Sequence, residues 1–317
     1  MSLGEFDLID RFFRRAKCDE HVTLGIGDDG AVLEPTAGHE LVVVVDSLVE
    51  GVHFPHGFDP VALGWRSVAV NLSDIAAMGA RPRWATLALT LPEAGEQWLD
   101  GFSRGLFEAL DSAQTSLIGG DTTRGDACVV TVQVLGEVES GKALRRSGGR
   151  PGDLLFVSGH PGDAAAGLRR LEAGISDALA DRFSRPTPRL SLGQQLRSLA
   201  SSVIDVSDGL YADIAKLAAA SGVAAELDID LLPLSDELLS AYPDDAIALA
   251  LGGGDDYELC FTAPEDRAQS VLALAEETDV AITRIGRITD GSGVSCERAG
   301  VRYEAPPAGF DHFSEAP

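Results

Sequence analysis

The run Gly25-Ile26-Gly27-Asp28-Asp29-Gly30, followed by the apolar stretch Leu41-Val42-Val43-Val44-Val45 and by Asp46, sets the reading of the whole chain. Two adjacent carboxylates between glycines make neither a core nor a helix. Glycine lets the backbone turn tightly and lets a bulky polyanion approach closely, and the acids offer oxygen to a hard cation. The same chemistry returns in Asn71-Leu72-Ser73-Asp74, Gly119-Gly120-Asp121-Thr122, Asp205-Val206-Ser207-Asp208-Gly209 and Gly252-Gly253-Gly254-Asp255-Asp256. Taken singly, each fits a surface turn. Together, with apolar strand-like runs beside several of them, they read as the walls of one metal-nucleotide site.

A chain of 317 residues is long enough for a large core and for two domains. The balance of 25 basic against 50 acidic residues gives a net charge of −25. That argues against nucleic acid and anionic membrane as partners. It does not exclude a polyphosphate, because Mg²⁺ inverts the local sign. Cys18, Cys128, Cys260 and Cys296 lie too far apart for a zinc motif, so reduced thiols are expected. Glu5, Asp7 and Asp10 stand where a signal peptide needs a basic start, and no run reaches membrane-spanning length. The expected location is cytoplasmic.

Phe6, Ile9, Phe12 and Phe13 fall at helical spacing. Leu41–Val45 is expected to be a buried strand that delivers Asp46 at its carboxyl end. His53 follows in a loop and reads either as structural or as touching ligand. Pro60 to Ala80 predicts one helix, with proline at its start and Gly79 at its stop. Trp84–Leu91 predicts a strand and Glu96–Ser112 a helix. Leu117-Ile118 leads into Gly119-Gly120-Asp121, again an acid at a strand end, and Ala127–Glu137 predicts a long strand. Arg145 to Asp153 is a basic hinge, either a solvated linker or guanidinium groups placed for phosphate. Strands are then expected at Leu154–Gly159, Ser202–Asp205 and Tyr257–Phe261, helices at Ala164–Ala173 and from Asp208 to Ala220, and a terminal helix and strands in the remainder, which includes Ile282 to Thr289. Ser207 is a helix cap, a phosphate donor, or both. This order, without βαβ regularity, favours α+β halves, with residues 1–140 as one domain and 141–317 as the other.

With these residues in view, the chain resembles the thiamine-monophosphate kinases, in the superfamily that also holds aminoimidazole ribonucleotide synthetase and selenophosphate synthetase. The resemblance runs over essentially the full length. It is carried by Gly4-Glu5-Phe6, Gly27-Asp28-Asp29, Asp46, Glu50-Gly51-Val52-His53-Phe54, Asn71 to Ala80, Gly119 to Thr122, Asp205 to Leu210 and Gly253 to Leu259. The Glu50–Phe54 and Gly253–Leu259 segments separate this kinase from its superfamily.

The resemblance implies transfer of the γ-phosphoryl group of ATP to thiamine monophosphate. It implies two α+β domains in a synthetase-like fold, the first forming a barrel across a homodimer. It also implies several Mg²⁺ ions on Asp29, Asp46, Asp74, Asp121, Asp205 and Asp208, with a backbone contact at Val45 and Asp28 adjoining. Gly120, Asp121, Arg146 and Ser207 would hold nucleotide, Arg146 and Asp208 would serve catalysis, and His53, Asp255 and Phe310 would meet the vitamin. Three positions depart from the family pattern: Asp255 stands for a glutamate, Ser103 for an aromatic and Phe310 for a tryptophan. Two other readings remain: a superfamily enzyme acting on a purine precursor, separated by the two segments above, and a non-catalytic Mg-nucleotide-binding dimer, which would bind ATP without releasing ADP.

Overall fold

The strand that carries Asp46 runs from His39 to Val49 and lies at an edge of a four-stranded sheet. The computed structural model describes residues 5–14 and 19–305. Two units are separable, Met1–Ile75 with Ala80–Lys142 and Ala76–Gly79 with Ala143–Pro317.

In the first unit, β1 (Val22–Leu24) and β2 (Val32–Leu33) pair with each other around the Gly25–Gly30 loop. Then come β3 (His39–Val49), α1 (Pro60–Ala77), β4 (Arg81–Leu91), α2 (Glu96–Ser112), β5 (Ser116–Arg124) and β6 (Val129–Glu139). The sheet order is β3-β6-β4-β5, antiparallel except for the β4–β5 pair. A Cβ on Gly64 would lie 2.1 Å from the Phe102 carbonyl oxygen, and one on Gly105 would lie 1.9 Å from that of Val61. The two glycines thus let α1 and α2 meet backbone to backbone. Val68, Leu72, Ile75, Leu99, Phe102 and Leu106 are fully buried, as are Trp84 and Val130 to Val134 at alternate positions of the sheet.

Two expectations change here. Among the described residues the first sheet ends in two unpaired edges, β3 and β5, so no sheet there is closed into a barrel. Four strands are about half of what the smallest closed barrels use. The expected dimeric barrel of the N-terminal domain is therefore corrected to an open mixed sheet. The valine run of β3 is also not buried on both faces. Val42 and Leu48 are buried, whereas Leu41, Val43 and Val45 are 46%, 54% and 57% exposed. β-branched content reports a pleated surface and not what covers it.

The second unit contains β7 (Leu154–Ser158), α3 (Asp163–Glu172), α4 (Leu190–Leu196), β8 (Ser202–Val206), α5 (Leu210–Ser221), β9 (Ala224–Asp228), β10 (Glu258–Ala263), α6 (Ala268–Thr278), β11 (Ile282–Thr289), β12 (Gly293–Arg298) and β13 (Val301–Tyr303). Its seven strands run β13-β12-β9-β11-β7-β10-β8, with only β12 and β9 parallel. Helices cover both faces. Leu155, Val157, Ile204 and Val206 pack with Leu210, Ile214 and Leu217 of α5. Phe156, Val203, Leu259 and Phe261 pack with Leu192, Leu196, Val271 and Leu274 of α4 and α6. β7, β8 and β10 are buried at every position, which suits apolar runs such as Leu154–Val157.

Candidate active site

Gly25–Gly30, Ser207–Gly209 and Gly253–Asp256 lie in loops, Asp46 and Asp121 lie inside strands, and Asn71–Asp74 lies inside α1. Asp46 is followed by three more residues of β3, and Asp121 sits in the middle of β5. Neither terminates its strand, because pairing with β6 and β4 continues past them.

In the first unit, Gly25 to Gly30 and Gly119 to Thr122 line one pocket of about 600 Å³, with Asp10 and Arg14 also on its wall. Gly120 is required there. Its φ is +155°, and a Cβ would fall 1.9 Å from the Leu87 carbonyl oxygen. Asp28 turns one carboxylate oxygen onto the Asp29 N–H at 2.8 Å, which tightens the loop. The Arg14 guanidinium lies against Gly27, 2.5 Å from where a Cβ would stand. Arg14 also pairs with Asp10 at 3.1 Å. Among the described residues, no histidine or cysteine lines the pocket. The metal donors these residues offer are oxygens, the set that suits a hard cation.

The remaining first-unit residues are elsewhere. Val45 and Asp46 occupy the opposite edge of the sheet, three strands from Asp121. That is roughly 14 Å at about 4.8 Å per strand, so Asp46 and Asp121 do not meet on one ion across this sheet. Ser47 bonds Thr131 through the hydroxyls at 2.7 Å on the exposed face, and strand alternation turns Asp46 to the other. Asp74 is half-buried on α1, between the fully buried Ser73 and Ile75. His53 closes its own turn: its Nδ1 accepts the Val49 N–H at 3.0 Å, so the ring proton resides on Nε2. Ser103 is buried on α2 and donates to the Asp100 carbonyl, away from the pocket-lining residues.

In the second unit two loops are stitched together. The Asp255 N–H donates to the Ser207 carbonyl and the Tyr257 N–H to the Val206 carbonyl, both at 2.8 Å. The N–H groups of Ser207 and Asp208 both donate to Asp213 Oδ2 at 3.0 Å. Asp213 therefore does the work of a cap, and the cap position itself belongs to Gly209. The capping alternative for Ser207 is thereby removed. Lys216 bridges Asp213, at 2.7 Å, and Asp208. Burial pushes the Asp213 carboxyl above the usual range, with Lys216 opposing. Burial lowers the Lys216 ammonium, yet its bonds to Asp208 and Asp213 leave it raised overall. A cation thus already rests on the Asp208 carboxylate. Asp205 is buried in β8 and Arg146 is exposed in the hinge, its carbonyl taking the Ser221 hydroxyl. Phe310 lies outside the described residues.

Among the described residues, no group of three or more His, Cys, Asp or Glu side chains is gathered for a metal. Mg²⁺ ordinarily takes one or two carboxylates and completes its shell with water and substrate phosphate. The oxygen donors of the Asp28-Asp29-Asp121 pocket, and the ammonium standing in at Asp208, fit that kind of binding.

Sequence reading missed Arg14, Asp213, Lys216, Arg189 and Asp256. Asp213 and Lys216, three apart on a helix that starts just after Asp208, carried a spacing signal.

Residues 27–138 match the AIR synthase related protein, N-terminal domain, and residues 150–298 match its C-terminal domain. The thiamine-monophosphate kinase of Salmonella typhimurium is 45% identical over 324 residues, covering 99% of both chains. The crystal structure of thiamine-monophosphate kinase from Stenotrophomonas maltophilia K279a is 48% identical, with a TM-score of 0.87 over 96% of this chain and 99% of that one. AaThiL complexed with AMPPCP and TMP is 35% identical, with a TM-score of 0.79 over 99% of each chain. Full-length identity at this level, on top of the two domain matches, places the chain in the thiamine-monophosphate kinase family of the AIR synthase related proteins.

Proposed function

We propose that the pocket bounded by Asp28, Asp29, Gly120 and Asp121 is where this kinase holds the polyphosphate of ATP as its Mg²⁺ complex. The activity is that of the family: the γ-phosphoryl group of ATP passes to the phosphate of thiamine monophosphate, giving thiamine diphosphate and ADP. The observation that carries the assignment is the convergence of the Gly25–Gly30 loop and the Gly119–Thr122 strand on one oxygen-lined pocket.

Both reactants are phosphate anions, so their repulsion is the main obstacle and positioning is the main task. Mg²⁺, when bound, offsets the charge on both phosphates and on the leaving diphosphate. Asp29 and Asp121 would hold an ion at this pocket; Asp46 and the Val45 carbonyl, at the opposite edge of the sheet, and Asp74 on α1 would serve other ions. Asp205 and Asp208 form the donor set of the second unit. Gly120 permits the close approach of a phosphate because no side chain fits there. Arg14, at the pocket wall, and Arg146, in the hinge, offset charge on the phosphates. Ser207 offers its hydroxyl to nucleotide. His53, Asp255 and Phe310 are assigned to the thiamine side. The acceptor oxygen is already ionised near neutral pH, so no residue is assigned as general base.

Adding Mg²⁺ with a non-hydrolysable ATP analogue is expected to raise Tm, because ligand bound only to the folded state adds about 2.7 kcal/mol at a hundred times Kd. A Tm unmoved by that pair in differential scanning fluorimetry contradicts the pocket assignment.

We also propose a homodimer through the exposed face of β3. Leu41, Val43 and Val45 form an apolar row there, and an uncovered apolar edge strand invites pairing. Sedimentation should give twice the chain mass for the wild type and a single chain for Val43→Glu. A wild-type monomer rules the proposal out.

A further inference from the structure

The turn Gly253–Glu258 carries Asp255 in an unusual backbone. Asp255 has φ +70° and Tyr257 φ +51°, both in the left-handed region that side chains rarely adopt. Such residues persist only where the surroundings over-determine them. Here three sets of bonds do so. On one side, the N–H groups of Asp255 and Tyr257 are taken by the carbonyls of Ser207 and Val206. On the other, Asp256 turns both carboxylate oxygens onto the start of α3: Oδ2 accepts the Gly162 N–H at 2.8 Å and Oδ1 the Ala164 N–H at 3.2 Å. At the end of the turn, Glu258 is gripped by Arg189, from Nε at 2.7 Å and from Nη2 at 2.5 Å, and by the Ser158 hydroxyl at 2.5 Å. Within the turn, the Tyr257 hydroxyl donates to Asp255 Oδ1 at 3.1 Å.

We propose that Asp256 is a positioning residue for thiamine monophosphate: by pinning the turn to the N-terminus of α3 it sets where Asp255 is presented, and Tyr257 sets how the Asp255 carboxylate is turned. The inference rests on Asp255 meeting the thiamine side, and it adds the means by which that contact is placed. A carboxylate suits this anchor because both its oxygens accept. An amide at the same place would put an NH₂ against a backbone N–H, losing one bond and adding a repulsion. The turn then relaxes toward ordinary backbone angles and carries Asp255 with it. The bonds of this anchor are made within the second unit, so the effect should be selective for one substrate.

The test is steady-state kinetics of Asp256→Asn, Tyr257→Phe, Asp255→Asn and the double variant Asp255→Asn/Asp256→Asn, with Tm recorded for each. Asp256→Asn should raise KM for thiamine monophosphate by about tenfold, with KM for ATP within twofold of the wild type. Tyr257→Phe, which removes one hydroxyl and leaves the anchor alone, should raise the same KM by about three- to tenfold, and it remains informative should Asp256→Asn not fold. The double variant should be no worse than the worse single one, because both changes act on one contact. A lowered Tm with KM for thiamine monophosphate unchanged in both Asp256→Asn and Tyr257→Phe overturns the inference and leaves a scaffold role. Additive effects in the double variant also overturn it. An unchanged KM in Asp255→Asn fails the reading of Asp255 itself, which separates the two failures.

Discussion

Asp121→Asn is expected to lower kcat for thiamine diphosphate formation by about a hundredfold or more, the size of effect seen when one preorganised partner of a developing charge is lost. The side chain is exposed on an edge strand, and its backbone pairs with Ala88 of β4. The substitution therefore keeps size and backbone and removes one negative charge. Stability should move by no more than about 0.5 kcal/mol, as for other exposed substitutions. Loss of rate without loss of fold is the pattern of a group acting on charge in the transition state. Measured kcat near wild type, with KM for ATP alone increased, would instead make Asp121 a uniform binding contact. Measured kcat and KM both near wild type would remove it from the site.

The second large effect concerns stability. Arg189→Met should destabilise the protein by about 3–5 kcal/mol, because removing one partner of a buried ion pair strands the other charge. The Glu258 side chain is 8% exposed and that of Arg189 is 12% exposed. A Cβ at Gly159 would stand 2.0 Å from Glu258 Oε1, so the carboxylate packs directly against the Gly159 backbone. Adding Glu258→Gln to Arg189→Met should recover much of the loss, since the amide oxygen still accepts from Ser158 and no charge is left unpaired. Urea denaturation decides this. A single variant within about 1 kcal/mol of wild type, the range of an exposed ion pair, would show that water reaches Glu258 after all.

Much of the fold was legible where the signal is local. The helix Glu96–Ser112 stands in the structure with the bounds expected for it. Pro60 opens α1, and Gly79, with φ +65°, follows its end. Legibility fails where a partner far along the chain decides. β3 continues past Asp46 because β6, some ninety residues later, goes on pairing with it. The open sheet in place of a barrel follows from strand order, which no window of sequence contains. The same division holds for the site. Glycine-acid runs announce themselves by composition, and Gly25–Gly30 with Gly119–Thr122 do share a pocket. Asp256 reads as one more acid of a loop, because its meaning lies in Gly162 and Ala164, 94 and 92 residues away. Arg189 is silent for the same reason, its partner Glu258 being 69 residues distant.

The most direct measurement of the account is product formation by the wild-type protein with ATP and Mg²⁺, comparing thiamine monophosphate, free thiamine and no acceptor. Thiamine diphosphate is followed directly alongside ADP. The account predicts equal amounts of both products with the monophosphate, and neither above background with thiamine or without acceptor. ADP release that is indifferent to the acceptor, or tight nucleotide binding with no thiamine diphosphate formed, would contradict it.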